Sequence, residues 1–403
     1  ELGERALALA ADDPDRAAAH RAIAAAYRSV LRMDEAWDHL QRAAALYGSA
    51  GNVPAEIYVE LGETLGWYGA FKKRPTEEEA RALFERGIAA ARGDPTTLAR
   101  VLLARARYAI AMSQTPRAQY LDEAVEAAEA ARDPSLVRRV LLVKANFVMG
   151  QGRLDEAGPL LDEVRRSPGH VDGLERLALL MISSTYHYTV GDMRAHAADV
   201  EELLTVAEPM GPHNRTHAWQ NATELYLARG SWTQIVDLAQ RTAKLIVEER
   251  SSAFCLMASL VLQAGAAAHA LAGRRDDALA LLRLIDETTD RDKAHRKAMP
   301  RALLGLDPGI GPEDRWEWYE ELDTAVAAVA LRRPDDALAA VERMAAGART
   351  SPPYLAFIDS VREVVAELRG GPPATYDALR KVGYVGWIDL LRHRAEPEDP
   401  RTT

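Results

Sequence analysis

The segment LLVKANFVMGQGRLDEAGPLLDEV, residues 141–164, carries the pattern from which the rest of the chain is read. Leu141, Ala145, Val148, Gly152, Leu154, Ala157, Leu161 and Val164 fall at the spacing of a helical hairpin of the tetratricopeptide kind. A small residue on the first helix and another twelve residues later let two antiparallel backbones approach. A glycine starts the turn between them. The same spacing links Ala24 to Ala36, Ala266 to Ala278 and Ala325 to Ala337. His20, Tyr27, Met33, Leu40 and Ala43 fill the remaining positions of one copy, and Leu262, His269, Gly273, Leu282 and Ile285 those of another.

A looser copy runs through Tyr58, Leu61, Gly62 and Leu65 to Ala80, Phe84 and Gly87, with a longer turn around Phe71–Pro75. Second-helix anchors then stand at 36, 80, 124, 157, 196, 235, 278 and 337. Their intervals of 44, 44, 33, 39, 39, 43 and 59 residues compare with a repeat length of about 34 expected for this motif, and all but one exceed it. The expectation is an all-α solenoid of degenerate hairpins, wound as a right-handed superhelix whose concave face is lined by first helices. It places about eight hairpins in residues 1–369, an irregular insertion near 290–314, and a capping segment with a frayed tail in residues 370–403.

Composition agrees. The 403 residues are 48% hydrophobic but only 6% aromatic, which suits close helix contacts better than a β-rich core. A formal charge of −10 argues against general affinity for nucleic acid or anionic membrane. Arg291, Lys293, Arg296, Lys297 and Arg301 form a local basic run, read as a solvated surface. Ser251–Gly273 is the longest uncharged run, but Gln263, His269 and its match to the repeat make it a buried repeat helix instead of a membrane span. A single cysteine, Cys255, excludes an internal disulfide framework and leaves a cytoplasmic setting as the expectation.

The chain has no phosphate-binding loop, no nucleophile elbow, no Cys-x-x-Cys pair and no His-Glu-x-x-His helix. His213 and His217 stand four apart, but Asn214 replaces the glutamate a zinc protease needs and spacing offers no third ligand. The acidic pairs Asp34-Glu35, Asp155-Glu156, Asp276-Asp277 and Asp335-Asp336 each precede a second helix, where negative charge complements the helix dipole. No catalytic residue, metal or cofactor is therefore expected, and the chain reads as a non-enzyme.

Aromatic residues cluster at Trp67-Tyr68, Tyr186-His187-Tyr188, Trp219 with Tyr226, Trp232, and Trp316-Trp318-Tyr319. Residues two apart on a helix cannot share one buried stripe. Some of these rings are thus expected in a groove. Tyr186, Tyr188, Trp219 and Trp232 are the candidate ring contacts for a protein segment or compact ligand, with His213, His217, Asn221 and Arg229 as polar contacts.

The loose repeats, with the closing stretch YDALRKVGYVGWIDLLR at 376–392, resemble the C-terminal helical-repeat region of large actinobacterial regulators. In those proteins a signal-transduction ATPase precedes the repeats, and an adenylate/guanylate cyclase or helix-turn-helix domain is sometimes attached. The resemblance implies a regulatory arm that senses a partner or ligand and biases the attached ATPase. The alternative is a free-standing scaffold that docks peptides. Glu1 is not an initiator methionine, so the expectation is a processed or excised piece of a longer chain.

Overall fold

The computed structural model describes residues 2–394 except 31, 50, 52, 67–70, 72–74, 112–116, 170, 249–255, 288–292, 310–319 and 347–350. Among the described residues there are twenty-one α-helices and no strand. The first ten are α1 (Leu2–Leu9), α2 (Asp13–Ser29), α3 (Met33–Ser49), α4 (Ala55–Leu65), α5 (Glu77–Ala90), α6 (Pro95–Ala111), α7 (Arg117–Ala131), α8 (Pro134–Gly150), α9 (Leu154–Arg166) and α10 (Gly173–Val190). Then follow α11 (Met193–Ala207), α12 (Pro212–Arg229), α13 (Trp232–Glu248), α14 (Leu256–Leu271), α15 (Arg275–Ile285) and α16 (Lys293–Leu303). The last five are α17 (Glu320–Ala330), α18 (Pro334–Ala346), α19 (Pro352–Leu368), α20 (Asp377–Val382) and α21 (Val385–Arg392).

The hairpin chemistry is the one the alanine spacing requires. Ala24, Ala36, Ala145, Ala157, Ala266, Ala278, Ala325 and Ala337 are all fully buried. In the looser copy, a methyl on Gly62 would meet the Phe84 ring at 2.7 Å and one on Gly87 would meet Tyr58 at 2.8 Å, so α4 and α5 also need their small residues. The turns share a second device. Gly152, Gly191, Gly230, Gly273 and Arg332 all adopt positive φ, each five residues before its second-helix anchor. After four of them the next amide donates five residues back, from Asp192 to His187, Ser231 to Tyr226, Arg274 to His269 and Arg333 to Ala328. That is a left-handed helix stop, and it directs the chain back along the helix it has just left.

The acidic pairs lie in the first turns of α3, α9, α15 and α18. Asp94 and Asp133 cap α6 and α8 by accepting backbone amides. In the basic run, Lys297 pairs with Asp286 at 2.9 Å and Arg301 donates to the Asp307 carbonyl. The first half of the expected insertion is not irregular, because Lys293–Leu303 folds as α16 despite Pro300 and packs against α14 and α17. Leu256–Leu271 of the uncharged run is α14, packed among α12, α13, α15 and α16. No helix among the described residues is long and apolar enough to cross a membrane. Cys255, Trp67-Tyr68, Trp316-Trp318-Tyr319 and the tail at 396–403 lie outside the described residues.

The chain divides into two compact units, one of Glu1–Gly150 with Asp155–Glu175, the other of Gln151–Leu154, Arg176–Arg250 and Phe254–Thr403. The first holds a buried ion pair. Arg138 and Glu175 meet at 2.9 Å, Arg138 also donates to the Pro168 carbonyl, and the Ser135 hydroxyl donates to Glu175.

The second unit departs from a simple nearest-neighbour array. Its closing helix α21 packs against α12, α17 and α19 instead of only capping the last hairpin. Tyr384 donates its hydroxyl to the Tyr188 carbonyl, Ser351 donates to the Thr189 carbonyl, and Trp232 donates to Asp389 at 2.8 Å. Ser351 thus leaves its N-cap role for a long-range one. A methyl on Gly386 would meet the Leu227 carbonyl oxygen at 1.8 Å, so α21 touches α12 backbone to backbone.

Two substitutions test this account by denaturant unfolding. Ala145→Leu should destabilise by about 1–3 kcal/mol through overpacking, and an unchanged midpoint would show the hairpin register to be wrong. Arg332→Gly should stabilise by about 0.5–1 kcal/mol, because it removes a side chain from a left-handed backbone.

Candidate functional site

Helix α12 starts with Pro212 in its first turn, where the missing amide hydrogen costs nothing, and stops at the left-handed Gly230. Thr216, Ala218, Trp219, Ala222, Thr223 and Leu225 turn into the core. His213, His217, Gln220 and Glu224 recur at intervals of four, three and four, which puts them within about 60° of arc on another face. Each keeps some accessible surface. The result is a polar stripe beside the packed face of the helix.

The stripe is internally connected. Gln220 Nε2 donates to Glu224 Oε1 at 2.6 Å. Asn221, beside the stripe and 2% exposed, donates from Nδ2 to the His217 carbonyl at 3.0 Å and to Gln220 Oε1 at 3.2 Å. The His213 and His217 rings meet edge to face with centroids 4.5 Å apart. Asn221 Oδ1 and Glu224 Oε2 are buried without a hydrogen-bond partner among the described residues.

Burial sets the charge of these groups. It lowers His213 to about 4, and it lowers His217 to about 3 with help from repulsion by His213, so both rings are neutral at pH 7. It raises Glu224 to about 7, against the opposing hydrogen bond from Gln220. His213, His217 and Glu224 are thus strongly desolvated although each side chain is only partly buried.

A second polar cluster ties α10 to α11. Asp199 accepts from the Ser183 hydroxyl at 2.5 Å and lies 2.9 Å from His187 Nδ1, while His196 Nδ1 lies 2.9 Å from the Ser184 hydroxyl. Burial lowers His196 to about 4. Tyr186 is half-buried, its ring 5.6 Å from that of His187.

Two expected groove rings are core residues. Tyr188 packs its ring 5.2 Å from Tyr384, 5.3 Å from His196 and 6.4 Å from Trp387. Trp219 is buried in the cluster containing Val200, Leu245 and Leu262. Residues two apart do diverge as expected for 186 and 188, but the outward member is Tyr186. Arg229 is exposed at the end of α12.

Trp232 lies elsewhere in the unit, in a shallow pocket of about 490 Å³ shared with Ala268, Leu271, Ala272, Asp389, Arg392 and His393. The structure thus brings His213, His217 and Asn221 together and leaves Trp232 in a separate place. Sequence reasoning missed Gln220 and Glu224, although their spacing continues that of the two histidines. It also missed Asp389 and Arg392 beside Trp232. Among the described residues no group of three or more His, Cys, Asp or Glu side chains is placed to hold a metal ion.

No protein-family model and no curated protein matches the chain. Among solved structures, it is similar to a signal transduction ATPase with numerous domains carrying a tetratricopeptide repeat sensor, from Pyrococcus horikoshii. That match has a TM-score of 0.39 and 14% identity, and covers 87% of this chain and 52% of the other. The chain spans about half the length of that protein. At this similarity the fold assignment rests on the helices and turns described above, not on the match.

Glu224 generates a pH prediction. Its folded value near 7 lies above the ordinary carboxyl value of 4.5, so the folded state holds the proton more tightly and its contribution to stability falls as pH rises through that window. Glu224→Gln should flatten the loss between about pH 5 and 8 and gain about 1–3 kcal/mol over the native chain at the alkaline end. Urea titrations at several pH values check this.

Proposed function

We propose that the chain is a non-catalytic regulatory module of helical hairpins that binds a partner segment or compact ligand and passes that event to an attached signalling domain. One observation carries the reading. Helix α12 gathers His213, His217, Gln220 and Glu224 on one partly buried, strongly desolvated face, beside the face by which Thr216, Ala218, Trp219, Ala222, Thr223 and Leu225 enter the core. A purely structural helix would gain by replacing such desolvated groups with apolar ones, so their presence is best explained by a ligand.

The partner module we favour is an ATPase of the signal-transduction type, sometimes joined to a cyclase, as in the actinobacterial regulators that the closing stretch resembles. The archaeal protein with a tetratricopeptide sensor is named for the same pairing of repeats with an ATPase. A free-standing peptide-binding adaptor is the competing setting. The reading frame upstream of Glu1 separates the two: a phosphate-binding loop there supports the regulatory arm, and a start codon near Glu1 supports the adaptor.

The functional test uses the gene product that joins this chain to its ATPase. The chain by itself should hydrolyse no ATP, while His217→Ala and Tyr186→Ala in the joined protein should alter the hydrolysis rate without lowering the melting temperature. Turnover by the chain alone, or unaltered rates in both variants, would overturn the proposal.

A further inference from the structure

The inner end of the α12 stripe has a chemistry that narrows the ligand. Glu224 makes no ion pair with a lysine or arginine among the described residues; its hydrogen bond is to the neutral amide of Gln220, 2.6 Å from Oε1. Its second oxygen, Oε2, has no partner there, and neither has Oδ1 of the buried Asn221 one turn away. A carboxylate in such surroundings is costly to ionise unless a cation reaches it.

What lies around it favours one kind of cation. Tyr188 from α10 and Tyr384 from the loop before α21 lie near enough that the Glu224 charge, after burial, helps hold their hydroxyls above the ordinary range. Along the stripe, Gln220 Oε1 accepts hydrogen bonds, and neutral imidazoles at His217 and His213 each carry one acceptor nitrogen. The stripe holds no lysine or arginine, so an anion would meet an uncompensated carboxylate. A bare metal ion lacks the clustered ligands it needs. A protonated amine fits, because it supplies a charge for Glu224 and several N–H donors for oxygen and nitrogen acceptors.

We propose that the Glu224 end of the stripe is a recognition site for a primary ammonium group, which replaces the Gln220 amide on Glu224 Oε1 and directs its other hydrogens toward Asn221 and the stripe acceptors. The Gln220 amide is then the donor that the ammonium group displaces. From Glu224 the stripe runs back eleven residues to His213, about 16 Å along the helix, which bounds the ligand to a compact amine or the lysine side chain of a partner. This inference rests on the regulatory reading above and deepens it.

Calorimetric titration of the full chain tests it, with 1,4-diaminobutane and agmatine as free amines, Nα-acetyl-lysine amide as the side-chain arm, and 1-butanol as the uncharged control. Saturable binding in either amine arm, absent for butanol and weakened at least tenfold by Glu224→Gln with no loss of melting temperature, supports the site. Binding at about pH 6 should release a proton, as seen by comparing two buffers, and at about pH 8.5 should not. The two arms tell a free amine from a partner's lysine. No saturable binding in any amine arm, or equal affinity in Glu224→Gln, overturns the assignment. Should the His217 and Tyr186 variants alter ATP hydrolysis while no amine binds, the regulatory reading stands and the ammonium site falls.

Discussion

Between Gly386 and the Leu227 carbonyl there is no room for a side chain, and that backbone contact determines what each half of α12 is able to do. It seats α21 on the last turn of α12. Tyr384 and Trp387 then reach Tyr188, Tyr354 and Phe357, whose rings form a continuous aromatic core with apolar residues of α17 and α19. The C-terminal half of α12 is thereby committed to packing. The stripe from His213 to Glu224 lies N-terminal to that contact.

The stripe combines accessible surface with strong desolvation, a combination that neither a flat surface nor a filled core provides. An exposed histidine pair would titrate near its ordinary value, and a sealed carboxylate would find a hydrogen bond for each oxygen. His213 and His217 are instead neutral over the physiological range, while Glu224 lies close to its point of half-ionisation at pH 7. Charge on the stripe is thus concentrated on a single side chain, at the end nearest Tyr188 and Tyr384. Places where local packing rules are broken are where function is sought first.

The hairpins were legible because their signals are local. Ala145 and Ala157, or Gly273 and Ala278, lie within one hairpin, and the steric demand of a close helix pair or a left-handed turn falls on those residues directly. The candidate site was partly legible for the same reason. His213, His217 and Asn221 share a helix, and continuing their period reaches Gln220 and Glu224, but the weight given to scarce aromatic residues drew attention to Tyr188 and Trp219. Their burial depends on neighbours that no local pattern reveals. Tyr188 is core because Tyr384, 196 residues away, packs on it. The closing stretch reads as a capping segment, but the helices it packs against, α12, α17 and α19, leave no local signal in it. Lys293–Leu303 shows the opposite error, since a proline and a run of positive charge concealed a helix that its packing against α14 and α17 stabilises.

Contacts between residues 157 to 196 positions apart also bear on how the second unit comes into being. A strictly linear repeat array can nucleate anywhere and grow by neighbours, with low contact order throughout. Here the aromatic core stays incomplete until residues 384–391 have left the ribosome, although α10 and α12 have been available for some 150 residues of synthesis. At rates of about 5–20 residues per second that is an interval on the order of ten seconds. During that time the faces of α10 and α12 that later receive Tyr384 and Trp387 are uncovered, which makes the nascent second unit a natural client for chaperones that hold apolar surface.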